Sequence, residues 1–235
     1  LEDPTKGKKA DLSNLDLSNM DLRFTNLEGA DLRGANCENT NFQGAKFIGA
    51  NCEKADFRNT NFYGTDFFGA NFCDADCENA DFRYADFQSA NCENADFRLA
   101  NFYGANVSYA NFKNASFYGA NCEKADFTGA DCDGADCEKA NFQGANFQGA
   151  KFEDADFQGA NCEKASFYGA KFYAANFIGA NFQDADCRNT DFQSANCENS
   201  NFRNANVSYA NFKNANLTGA KCINTNFFFP FKIKE

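Results

Sequence analysis

The sequence predicts an all-β solenoid, and three observations carry that prediction. From Ala10 to Phe229 it repeats every five residues without an insertion or a deletion. One position of each unit, the centre, is always Leu, Val, Cys or Phe; centres fall at residue 12 and every fifth residue to 227. Two residues before the centre stands Ala in 35 of the 44 units, and apart from Leu15 and Met20 the exceptions are Thr and Ser. An α-helix cannot hold a five-residue apolar spacing on one face, because the stripe winds around its cylinder. An uninterrupted strand fails as well, since five is odd and the apolar side would flip at every unit. A short extended segment followed by a corner meets both constraints. The centre and the small residue point inward, the other three residues point out, and stacked units bury one continuous column.

Taken in order, residues 1–9 are polar and without pattern, and they are expected to form a flexible lead-in. The chain opens at Leu1 rather than Met, which is compatible with a removed leader or upstream domain. The repeat, residues 10–229, is expected to be one domain, because no linker composition interrupts it. Its centres begin with Leu12, Leu17, Leu22, Leu27 and Leu32 and then turn to Phe and Cys. The position before the centre is mostly Asp or Asn, and 16 of the 17 glycines fall two places after it, where a corner calls for positive φ. Residues 230–235 close the chain as a tail or cap. With Phe228, Phe229 and Phe231 the chain end is aromatic enough to cover the open end of a column or to contact a second molecule.

Units such as Ala140-Asn141-Phe142-Gln143-Gly144, repeated in tandem, resemble the pentapeptide repeat proteins. The resemblance covers 220 of 235 residues. It implies a right-handed quadrilateral parallel β-helix with four units to each square coil of 20 residues, hence about eleven coils and a rod about 53 Å long. Residues 20 apart then share a face. Centres 12, 17, 22 and 27 begin faces 1 to 4.

This register orders the cysteines. On face 1, Cys52, Cys92 and Cys132 alternate with Phe72 and Phe112, and no two central cysteines lie 20 apart. Small and large side chains interleave as dense packing requires, so the cysteines read as small buried hydrophobes. Cys132 and Cys137, on neighbouring faces, are the pair to check for a disulfide. Cys73 should point outward and is the candidate reactive thiol. With no His in the chain, no metal site and no cofactor are expected. Twelve cysteines without evident partners favour a reducing, cytoplasmic compartment.

Outside the column, face 2 carries Glu38, Arg58, Glu78 and Arg98 in successive coils, an expected ladder of alternating sign. Face 2 is also the most acidic, at −7 against −4, +1 and −3 for faces 1, 3 and 4, and it holds Asp76, Glu78, Asp136, Glu138, Asp156 and Glu198. Face 3 stacks Tyr63, Arg83 and Tyr103, an aromatic–cation–aromatic strip.

These features exclude several classes of function. No catalytic constellation or phosphate-binding glycine loop is present, and a convex rod lacks an enzyme's cleft. No apolar run is long enough to cross a bilayer. A net charge of −11 opposes direct binding to nucleic acid. The expectation is a non-enzymatic scaffold for a protein partner, as a monomer or an end-to-end dimer. The alternative is a DNA mimic: some pentapeptide repeat proteins that confer fluoroquinolone resistance resemble duplex DNA and bind DNA gyrase. Duplex DNA 53 Å long would carry roughly 31 charges.

Overall fold

The computed structural model describes residues 9–227. Most of the lead-in, the tail at 230–235 and the end contact of Phe228, Phe229 and Phe231 lie outside these residues. Within them the chain is a quadrilateral parallel β-helix. Every residue before a centre forms a parallel bridge with the residue 20 further on, from Asp11↔Asp31 to Asn206↔Asn226. Each side of a coil has a single bridged residue, so the extended segments are as short as pairing allows.

The unit explains itself through its five backbone N–H groups. Around Phe142, Asn141 N donates to Ala120 O at 2.9 Å, one coil back. Phe142 N and Gly144 N donate forward to Asn161 O and Glu163 O at 2.7 and 2.8 Å, and Ala145 N closes the corner onto Phe142 O at 3.0 Å. That leaves the N–H of Gln143, which no coil reaches; Asn141 Oδ1 accepts it at 3.3 Å. The preference for Asp or Asn before the centre is therefore an Asx turn that completes the backbone's hydrogen bonding.

The corner dictates the next position. Every residue two after a centre, from Asn14 to Asn224, has φ between 55° and 71°. Only one central residue of the corner is left-handed, as a type II turn requires. The sequence tied this conformation to glycine, yet Phe24, Tyr84 and Leu99 adopt it too, at φ 59°, 58° and 59°. Stacking imposes the corner on whatever residue arrives there.

Inside, the shaft is filled. Centres from Leu32 to Val207 are 0–1% exposed. Phenylalanines one coil apart stack, as in Phe147–Phe167 at 4.8 Å and 2°. Those on neighbouring faces meet edge to face, as in Phe67–Phe72 at 5.0 Å and 84°. Both arrangements suit the ring quadrupole. Threonines in the place of the small Ala keep their hydroxyls satisfied in the wall: Thr60 Oγ1 donates to Cys37 O at 2.8 Å and Thr65 Oγ1 to Phe42 O at 2.9 Å. The twelve cysteines are all free thiols, Cys132 and Cys137 included. Burial pushes the Cys37 thiol up to about 12, with Asp56 and Asp16 adding to the effect.

The column loosens at its limits. Leu12, Leu22 and Leu27 are only partly buried, as are Phe212 and Leu217. Cys222 is exposed, against the rule that centres are buried, because no coil covers it among the described residues.

Phe82 stacks between Phe62 and Phe102, at 5.1 and 4.9 Å. Phe82→Ala should cost about 3–5 kcal/mol, read from urea unfolding. Gly149→Ala, at φ 67° with open space around a new Cβ, should cost only about 1–2 kcal/mol.

Candidate interaction surfaces

The acidic residues of face 2 spread along the rod instead of converging. Asp76 and Glu78 share one corner with Asp96 one coil above. The carboxylates of these three lie within 4.8 Å of one another. Cations already sit among them: Arg98 reaches Glu78 at 3.0 Å and Asp96 at 2.6 Å, and Arg58 Nε lies 3.7 Å from Asp76. Burial, reinforced by Asp96 and Asp56, still holds the Asp76 carboxyl above its ordinary value. Further along, Asp136 and Asp156 are bridge partners. Asp136 accepts from Ser116 Oγ at 3.2 Å, Asp156 accepts from Asn176 Nδ2 at 3.0 Å, and Glu138 pairs with Lys139 at 2.7 Å. Glu198 has Asn216 Nδ2 within 3.5 Å.

The expected ladder of alternating sign is partly realised. Glu38–Arg58 and Glu78–Arg98 pair across coils at 3.6 and 3.0 Å. Each arginine pairs more closely inside its own unit, with the Asp two residues earlier: Arg58–Asp56 and Arg98–Asp96 are both at 2.6 Å. Asp21–Arg23, Asp81–Arg83 and Asp186–Arg188 repeat the contact at 2.6 Å. The signal was present in sequence as Asp-x-Arg, whose spacing puts both side chains on one corner. Exposed pairs of this kind contribute about 0–1 kcal/mol each.

A second ladder has no charge. On face 3, Asn121, Asn141, Asn161, Asn181 and Asn201 each donate Nδ2 to Oδ1 of the asparagine one coil back, starting at Asn101, at 2.9–3.2 Å. Each amide thus serves its own corner and its neighbour.

Beside this ladder lies the aromatic strip, with a member that sequence reasoning missed. Tyr84, from the left-handed corner position, sits between Tyr63 and Tyr103, edge to face with both at 5.5 and 5.6 Å. Arg83 lies over Tyr63 at 5.4 Å. Lys124 lies over Tyr103 at 4.9 Å and donates to its hydroxyl at 2.9 Å. An open hollow lined by Arg83, Tyr84, Asn101, Tyr103 and Asn121 runs alongside. The five-residue pattern places residues 84 and 124 at corners; their meeting with 63 and 103 follows only from how far each side chain reaches.

Cys73 is half-buried rather than fully outward. Burial raises its thiol, and Asp74, Glu93 and Glu53 raise it further, which opposes the thiolate a nucleophile needs. No helix among the described residues is long and apolar enough to cross a membrane.

The sequence profile of pentapeptide repeats matches this chain over residues 8–36, 35–74, 75–108, 95–131, 135–172, 170–208 and 195–228. A comparison with functionally characterised protein sequences finds no match. Among solved structures, the chain is similar to HetL, a pentapeptide repeat protein involved in heterocyst differentiation regulation in the cyanobacterium Nostoc sp. strain PCC 7120. Identity is 25%, coverage 93% of this chain and 91% of HetL, and the TM-score 0.47. It is similar to QnrB1, a plasmid-mediated fluoroquinolone resistance protein, at 21% identity over 77% of this chain and 89% of that one, with a TM-score of 0.45. A pentapeptide repeat protein of the Arabidopsis thaliana thylakoid lumen is 30% identical over 46% of this chain and 65% of its own, with a TM-score of 0.27.

The ion pairs give the rod an acid-sensitive surface. Hydrogen bonds from Arg58 and Arg188 hold the Asp56 and Asp186 carboxyls below their ordinary value. At Asp131 burial pushes upward but is outweighed by Lys151 and Lys113. A depressed folded-state value means stability that is present above the ordinary carboxylate range and lost as pH falls through the depressed value. Asp76 and Asp133, both raised, act in the opposite sense. Thermal unfolding should therefore shift to lower temperature as pH drops from about 4 toward 2. The gap between the parent and Arg58→Met should be widest near neutral pH and should close in acid.

Proposed function

Because the chain belongs to the pentapeptide repeat family, we propose that it is a non-enzymatic rod that presents lengthwise side-chain ladders to a protein partner. One observation carries the reading. The shaft is closed to solvent, with centres 0–1% exposed from Leu32 to Val207, so chemical variety is confined to the three outward residues of each unit. Those residues form strips along a coil-to-coil repeat. Asp76, Glu78, Asp136, Glu138, Asp156 and Glu198 make one candidate contact surface, and Tyr63, Arg83, Tyr84 and Tyr103 make the other.

A rod that engages DNA gyrase as a DNA mimic is the second reading, favoured by the acidic bias of face 2. The arrangement of charge weighs against it. Arg58, Arg98 and Lys139 stand among the carboxylates of that face, and the whole chain carries −11 where duplex DNA of equal length carries roughly −31.

Two surface variants test the scaffold reading. One reverses Glu78, Glu138 and Glu198 to Lys; the other removes Tyr63, Tyr84 and Tyr103 to Ala. All six side chains are outward, so both variants should keep the parent's circular dichroism. Affinity purification from the source cell should then recover a partner with the parent that one variant loses and the other keeps. Identical recoveries from all three proteins would overturn the reading. Gyrase supercoiling should be unaffected by micromolar protein; inhibition lost in the lysine variant would support the DNA-mimic reading instead.

A further inference from the structure

We infer that Tyr63, Tyr84 and Tyr103 form a docking strip for a proline-rich segment in the polyproline II conformation. The inference rests on the scaffold reading and names the chemistry of the partner's contact.

Spacing is the first argument. Tyr63 and Tyr103 occupy the same corner position two coils apart, which is about 9.6 Å at the usual inter-strand distance. A polyproline II helix makes one turn in three residues and about 9.3 Å. Prolines three apart on such a helix therefore meet the two rings in register. Tyr84 stands edge to face with both, so the strip is a row of rings of alternating orientation. Extended aromatic rows of this kind recognise the preformed, low-entropy polyproline helix.

Preorganisation is the second. Tyr63 is covered by Arg83, and the Tyr103 hydroxyl is held by Lys124 at 2.9 Å. Tyr84 lies across Gly104, where an added Cβ would stand 2.9 Å from its ring. The rings are fixed before a ligand arrives; Tyr63 and Tyr84 are 37% and 53% exposed, and Tyr103 is half-buried with Lys124 over one face. Little conformational entropy is left to lose on binding.

Hydrogen bonding and charge are the third. A polyproline helix has no internal hydrogen bonds, so its carbonyls need donors. Asn121 Nδ2 spends one N–H on Asn101 Oδ1 and has a second beside the hollow. The local charges cancel, Arg83 with Asp81 at 2.6 Å and Lys124 with Glu123 at 3.1 Å. A neutral strip on an acidic rod suits an uncharged backbone ligand and not a polyanion.

The probes are synthetic peptides, followed by calorimetry and by tyrosine fluorescence of the full chain. A peptide with proline at every third residue should bind. One with the same number of prolines at every fourth residue should bind about tenfold more weakly or worse, because it loses the register. Tyr63→Ala and Tyr103→Ala should each weaken the first peptide about tenfold, whereas Tyr103→Phe, which keeps the ring, should stay within about threefold. No binding of the third-residue peptide at millimolar concentration overturns the inference, as does equal binding of the two peptides or undiminished binding by Tyr103→Ala. Binding of a neutral oligosaccharide in place of the peptide overturns it too. If the peptides fail while the triple-alanine strip variant still loses its cellular partner, the polyproline inference falls and the scaffold reading stands.

Discussion

The constraint on which everything else depends is that each unit must satisfy four backbone N–H groups through the backbone within five residues. Two donate to the coil ahead, one to the coil behind, and one closes the corner; the fifth is accepted by the Asp or Asn before the centre where the unit carries one. No spare residue remains, so the period cannot drift. The cost of burying an unpaired amide enforces the register more strictly than the core does, since a hydrophobic column tolerates changes of size and shape. Leu, Val, Cys and Phe exchange freely at the centres; the chain never exchanges five residues for four or six.

A consequence is that the unit, rather than the coil, is the structural element. The nine residues Asp86–Asn94 recur unchanged at Asp191–Asn199, 105 positions later. That offset is one unit more than five coils, so identical sequences stand on different faces. Phe87 and Phe192 are both 0% exposed, as are Cys92 and Cys197. Ser89 and Ser194 both have φ 60°, and Asn94 and Asn199 both have φ 58°. Nothing in a unit commits it to a face. Faces acquire their character, acidic or amide or aromatic, only from what falls 20 residues before and after.

This locality explains what was legible in advance. The period, the buried centres and the role of Ala are properties of the repeat, and they were readable from composition at each position; the assignment of residues to four faces followed from the resemblance to the pentapeptide repeat proteins. The charge ladder was legible only in part. Glu38, Arg58, Glu78 and Arg98 were correctly placed one above another, but Asp56 and Asp96 were nearer to the arginines, and the Asp-x-Arg contact inside the corner takes precedence over the contact across coils. Tyr84 was missed for a related reason. A position filled by Gly in many units reads as a place without side chains, whereas the backbone there is left-handed for every residue and simply aims whatever it carries along the outside of the stack. Cys222 departs from its class because burial in a solenoid is conferred by the next coil, and no coil covers it among the described residues.

The same locality limits where function can arise. The centres from Leu32 to Val207 fill the shaft, so side-chain variety lies on its outer surface. What a solenoid does offer is repetition at a fixed interval, with side chains of chosen type set every coil along a straight line. Ligands suited to it are those with a period of their own, because each further matched contact costs little additional ordering once the first is made. The Asn101–Asn201 amide ladder illustrates how the chain uses that property internally, with each rung fixed by the one before. On the outer surface the tyrosine strip has the same construction with rings in place of amides, and Lys124 and Arg83 hold those rings in position much as the asparagine amides hold one another. Recognition by such a surface is set by interval first and by chemistry second, the reverse of the order that governs a pocket.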